Sequence, residues 1–125
     1  ILCITEHWLT DIELQLIKIP GFSLENCFCR VNKYQHGGSA IFVRNGTQVR
    51  KKINCIQMAQ DRIFEVCSTF VESINAVCIC FYRPPDNSRN AFETFLSQLY
   101  EFFNYLYTNF KNANVILTGD FNVDF

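Results

Sequence analysis

Ala76-Val77-Cys78-Ile79-Cys80-Phe81-Tyr82 is an apolar run that stops at Arg83-Pro84-Pro85. Its length, its β-branched and aromatic content and the two prolines read as a strand, not a helix. With no polar residue in alternation, such a strand lies inside a sheet with both faces covered. Downstream, Phe92, Phe95, Leu96, Leu99, Phe102, Phe103 and Leu106 recur at helical spacing and form one apolar face. Asn87, Ser88 or Asn90 can cap this helix, which ends near Phe110. Asn114-Val115-Ile116-Leu117-Thr118 then reads as a second buried strand, leaving into Gly119-Asp120-Phe121-Asn122. A β–α–β unit from Ala76 to Gly119 crosses over right-handed and leaves its strands parallel. Tyr82 and Asp120 therefore reach the same, carboxyl end of the sheet, where open α/β sheets place their chemistry.

Upstream, Ile1 to Thr5 reads as a short first strand that delivers Glu6 at its carboxyl end. Thr10, with Glu13 three residues on, is a capping box for a short helix from Asp11 to Ile17. Phe22 to Val31 is a strand and Asn32 to Gly37 a polar loop. Gly38 to Arg44 is a strand that turns at Asn45-Gly46 and pairs back with Gln48 to Ile53 as a hairpin. Asp61 to Val71 alternates around Phe64, Val66, Ser68 and Phe70, a half-buried strand that turns at Ser73-Ile74-Asn75. The order implies an α/β fold, mixed β-sheets covered by helices, in one domain. If strands 1–5, 76–82 and 114–119 are parallel neighbours, Glu6, Tyr82, Asp120 and Asn122 converge on one rim. That set of oxygens suits a hard cation and a phosphate, and Mg²⁺ takes one or two carboxylates plus substrate oxygens.

Composition sets the bounds. The chain has 125 residues, 49% apolar, with 13 Phe and 5 Tyr, which excludes a disordered chain. No apolar run approaches the ~20 residues of a membrane span. Neither a basic leader nor a cleavage site frames Ile1-Leu2-Cys3-Ile4, and the chain reads as a piece of a longer protein that starts inside a strand. Eleven basic residues against twelve acidic ones leave a net charge of −1, so charge alone makes no case for nucleic acid. Arg50-Lys51-Lys52 reads as a solvated edge. Seven cysteines are an odd number, and Cys27-Phe28-Cys29 and Cys78-Ile79-Cys80 have one-residue gaps. On a strand both thiols of such a pair share a face. Zinc sites usually use gaps of two to four, so the spacing argues against one and for reduced, buried thiols in an intracellular protein.

Four motifs in order carry a resemblance: Cys3-Ile4-Thr5-Glu6-His7-Trp8-Leu9, Gly37-Gly38-Ser39-Ala40-Ile41-Phe42-Val43, Phe81-Tyr82-Arg83-Pro84-Pro85 and Ile116-Leu117-Thr118-Gly119-Asp120-Phe121-Asn122. Together they resemble the endonuclease/exonuclease/phosphatase superfamily, and within it the apurinic/apyrimidinic-like endonuclease domain of non-LTR retrotransposon reverse transcriptase polyproteins. The resemblance implies an incomplete four-layer α/β sandwich, a DNA partner, Mg²⁺ or Mn²⁺, no small-molecule cofactor, no membrane and a nuclear location. It implies that Glu6 binds the metal and that Asp120 positions or deprotonates the attacking water. By the same resemblance Asn122 holds the scissile phosphate or metal-bound water, and Tyr82 contacts the phosphate.

Two family features have no match here: an Asn-bearing strand ahead of the Glu, and a catalytic His with its Asp near the domain's end. His7 and His36 belong to other motifs. The 125 residues are therefore expected to be a partial domain with little nicking activity of their own. A phosphatase or phosphodiesterase on the same fold is one rival reading, and a decayed, non-catalytic retroelement remnant is another. Plainer expectations accompany the site. Tyr82 sits at a core edge with a wet hydroxyl, and Trp8 packs the first helix onto the sheet. His7 lies beside the site without being a ligand. Arg83 either touches phosphate or is solvated, and Asp124 is a turn residue.

Overall fold

A computed structural model describes residues 1–31, 36–50, 57–86 and 88–123. Its elements are β1 (Leu2–Thr5), α1 (Asp11–Leu16), β2 (Phe22–Phe28), β3 (Ser39–Arg44), β4 (Val49–Arg50), β5 (Glu65–Val71), β6 (Ala76–Tyr82), α2 (Arg89–Asn109) and β7 (Asn114–Asp120). The fold is mixed α/β with two sheets. The first has the order β1-β3-β2 and is antiparallel throughout; the second has the order β4-β5-β6-β7. In the second, β5 runs antiparallel to β4 and β6, and only β6 and β7 are parallel.

Local chemistry starts the helices where expected. The Thr10 backbone N–H donates to Glu13 Oε2 at 3.0 Å and Glu13 N–H donates to Thr10 Oγ1 at 3.3 Å, a complete capping box. Ser88 caps α2 by accepting from Ala91 N–H, whereas Asn90 lies inside the helix and Asn87 lies outside the described residues. Asn75 takes a left-handed conformation (φ 47°) after the 3₁₀ turn Glu72–Ile74 and closes the β5–β6 connection.

Three apolar clusters stack the layers. Leu14 of α1 packs on Ala40 and Phe42 of β3. On the opposite face of β3, Ile41 and Val43 meet Cys67 of β5 and Cys80 of β6. The far face of the second sheet, through Phe64, Val66, Val77, Ile79 and Phe81, packs on Phe95, Phe102 and Leu106 of α2. No helix among the described residues is long and apolar enough to cross a membrane.

Several sequence expectations are corrected. The strand after Asn45-Gly46 does not pair back on β3, because β1 and β2 already occupy both edges of β3; β4 instead joins β5 in the other sheet. The remainder of that arm, residues 51–53, lies outside the described residues. β1 is not a sheet neighbour of β6 or β7. It belongs to the facing sheet, so the rim is built across two sheets and not along one. β5 is buried at all seven positions, not half of them, because its second face is covered by the first sheet. β7 is exposed at five of its seven positions, since it is the edge strand of its sheet. On α2, Phe92, Leu96 and Phe103 are exposed, which leaves a narrower buried stripe than the spacing implied. Trp8 is 54% exposed and lies tilted against the His36 ring, centroids 4.0 Å apart, while Leu14 anchors α1.

Candidate active site

β1 ends at Thr5, and the next segment folds over the Gly37-Gly38 strand start. Glu6 and Trp8 both adopt left-handed backbone conformations, φ 57° and 59°. Two bonds hold them there: Glu6 N–H to Gly38 O at 2.7 Å and Trp8 N–H to Gly37 O at 3.1 Å. Such conformations cost about 1–3 kcal/mol each and persist where surroundings over-determine them. The anchor is Glu65, which is fully buried. Its Oε2 accepts from Gly38 N–H at 2.6 Å, and its Oε1 accepts from Arg30 Nε at 2.6 Å and Arg62 N–H at 3.0 Å. Gly38 has φ 95°, and a Cβ on it would overlap the His7 ring, so glycine is required there. His7 accepts from Leu9 N–H at Nδ1 (3.1 Å), which leaves Nε2 to bond Phe28 O at 3.2 Å.

Tyr82 reaches across from the second sheet. Its hydroxyl donates to Glu6 Oε1 at 2.9 Å, between residues 76 apart in sequence. Burial first, and the Glu6 carboxylate second, push the phenol well above its usual range. Tyr82 is thus a hydrogen-bond donor and not a base. Its hydroxyl is bonded inside the protein, in place of the wet hydroxyl expected from sequence.

Asp120 sits on the adjacent parallel strand, in register with Tyr82. Its carboxylate is exposed, and Oδ1 accepts from Asn122 N–H at 3.0 Å. Asn122 is left-handed (φ 44°), and its Nδ2 donates to Arg83 O at 2.8 Å. Gly119 makes this approach possible: at φ 138°, a Cβ there would run into the Phe81 carbonyl.

Arg83 is the residue that sequence reasoning undervalued. It neither faces solvent nor waits for phosphate; it is 4% exposed. Its backbone N–H donates to Asp120 O at 2.9 Å, and its guanidinium donates to Asn122 O at 2.5 Å and Asp86 O at 2.7 Å. The rings of Phe92 and Phe95 flank it at 5.3 and 5.4 Å. Arg83 therefore clamps the segment that carries Asp120 and Asn122. The available signal was its position between a strand-end tyrosine and two prolines, which fix the chain direction. Glu65 carried no motif signal, and only burial reveals it.

Of the four rim residues, Glu6 and Tyr82 are in direct contact, Asp120 is beside Tyr82, and Asn122 is tied to both Asp120 and Arg83. Asp124 lies outside the described residues. The free donors at the rim are oxygens and an amide, since both His7 nitrogens are engaged; that chemistry fits a hard divalent cation. Compared with protein-family profiles, characterised proteins and solved structures, the chain matches none.

Proposed function

We propose that the rim of Glu6, Tyr82, Asp120 and Asn122 performs metal-assisted phosphodiester hydrolysis on DNA, in a domain related to retrotransposon endonucleases. The observation that carries this reading is the Tyr82–Glu6 bond across two sheets with Asp120 in register alongside. Four motifs distant in sequence meet at one place, and core packing alone does not require this of an exposed Glu and an exposed Asp. The succession α1, first sheet, second sheet, α2 supports the four-layer sandwich of the superfamily.

In this reading Glu6 is the ligand for Mg²⁺ or Mn²⁺, which supplies neutralisation of charge on the phosphate. Tyr82 keeps its proton and donates it as a hydrogen bond, first to Glu6 and then to a phosphate oxygen. Asp120 is the exposed carboxylate that orients a water and takes its proton. Asn122, pinned through one amide hydrogen to Arg83 O, offers its other amide hydrogen to the phosphate.

The test is nicking of supercoiled plasmid in Mg²⁺, by this chain and by its full open reading frame. Positioned acid–base groups contribute about 10²–10⁴-fold, so Glu6→Gln and Asp120→Asn should each lower nicking at least about 100-fold. Circular dichroism should stay unchanged in both. Nicking that survives both substitutions overturns the assignment. Phosphate release from monoesters without nicking moves the substrate to the phosphatase class.

A further inference from the structure

Away from the rim, α1 and β2 bring three metal-ligating side chains together. Asp11 is the first residue of α1, Cys27 lies near the end of β2, and Cys29 follows that strand by one residue. One carboxylate oxygen and the two sulfurs all lie within 4.8 Å of one another. The Cys27 sulfur is 3.6 Å from Asp11 Oδ1. Zinc bonds of about 2.3 Å to sulfur and about 2.0 Å to oxygen, at tetrahedral angles, put S and O about 3.5 Å apart and two sulfurs about 3.8 Å apart. The ligands need to close by no more than about 1.3 Å.

We propose that Asp11, Cys27 and Cys29 form a binding site for a thiophilic divalent cation of the zinc class, completed by water. Two thiolates and a carboxylate select a soft or borderline cation over Mg²⁺. The one-residue gap between the cysteines is shorter than in loop-borne zinc knuckles, yet the two sulfurs lie within 4.8 Å of each other. Asp11 is exposed and β2 is an edge strand, so the site is open to solvent. Three protein ligands leave the fourth tetrahedral position to water.

Metal binding displaces the thiol protons to solvent and joins α1 to β2. Packing of both cysteines against the Leu14, Ala40 and Phe42 cluster explains their partial burial. The Cys27 thiol donates to Asp11 Oδ1 at 3.6 Å, so the carboxylate already faces the sulfurs.

Cobalt(II) titration of the reduced chain tests this. A thiolate-to-cobalt charge-transfer band should grow to one equivalent, be displaced by Zn²⁺ and be indifferent to excess Mg²⁺. Cys27→Ser and Cys29→Ser should each abolish it, with folding checked by circular dichroism. Losing even a partner behind a ligand costs about 10–100-fold in metal affinity, so Asp11→Asn, an exposed change, should weaken cobalt binding at least about tenfold. Glu6→Gln should leave the band unaltered, which separates this site from the rim. No band, a band that survives both cysteine substitutions, or unchanged affinity in Asp11→Asn overturns the proposal.

Discussion

β6 and β7 are neighbours of equal length, parallel and in register from Ala76↔Asn114 to Tyr82↔Asp120. Both present apolar runs, yet β6 is buried at every position and β7 at none. The difference is place in the sheet. β6 has β5 on one side, β7 on the other, α2 over one face and the first sheet over the opposite face. β7 is an edge, with Val115 and Ile116 left 46% and 41% exposed. An interior strand holds a rim residue rigidly, as with Tyr82. An edge strand needs help to hold one, and Arg83 supplies it.

The sharpest way to break this contrast is Gly119→Ala at the seam between the strands. The new Cβ overlaps the Phe81 carbonyl at a backbone angle that disfavours side chains. A loss of about 4 kcal/mol is expected, read by urea denaturation. Next comes Ile79→Ala, which empties a fully buried position of β6 and should cost about 3 kcal/mol. Arg83→Met removes bonds to Asn122 O and Asp86 O while keeping a long stem. It should cost about 2 kcal/mol, and amide exchange should rise at residues 120–122 before it rises in β6.

Tyr82→Phe deletes the bond to Glu6 and should cost about 1.5 kcal/mol at neutral pH. The phenol's value is raised in the folded state, so its contribution is complete below the ordinary value of 10.0 and is lost as pH rises above it. Alkaline denaturation should therefore be shallower in Tyr82→Phe than in the parent, measured by stability against pH. Ile116→Ala, the same substitution as at Ile79 but on the edge strand, should cost less than about 1 kcal/mol. An equal loss at Ile79 and Ile116 would abolish the distinction between the two strands.

The strands and helices were legible from short-range signals. Thr10 and Glu13 announced α1, Pro84-Pro85 ended β6, and the aromatic repeat drew α2. Sheet membership was not legible. Asn45-Gly46 marks a turn, but a turn dipeptide does not say whether the next strand stays in the same sheet, and β3 had no free edge to offer. For the same reason β1 was read as a sheet neighbour of β6 when it faces it from the other layer. The rim survived this error because Glu6 still ends a strand beside Tyr82, whichever sheet supplies it. Glu65 and Arg83 escaped notice as scaffold for the rim because a charged residue in a strand or before prolines looks like surface until burial is known.

The Tyr82–Glu6 bond joins one sheet to the other between residues 76 apart in sequence. It therefore acts as a gauge of alignment: a slip of about an ångström between the layers exceeds hydrogen-bond tolerance and uncouples the pair. Contacts of such sequence separation are slow to form, because loop closure precedes any reward. Assembly of the rim should thus be among the last events of folding. Trp8, the single tryptophan, stands two residues from Glu6 beside the His36 ring, so its fluorescence offers a built-in clock for that final docking of layers.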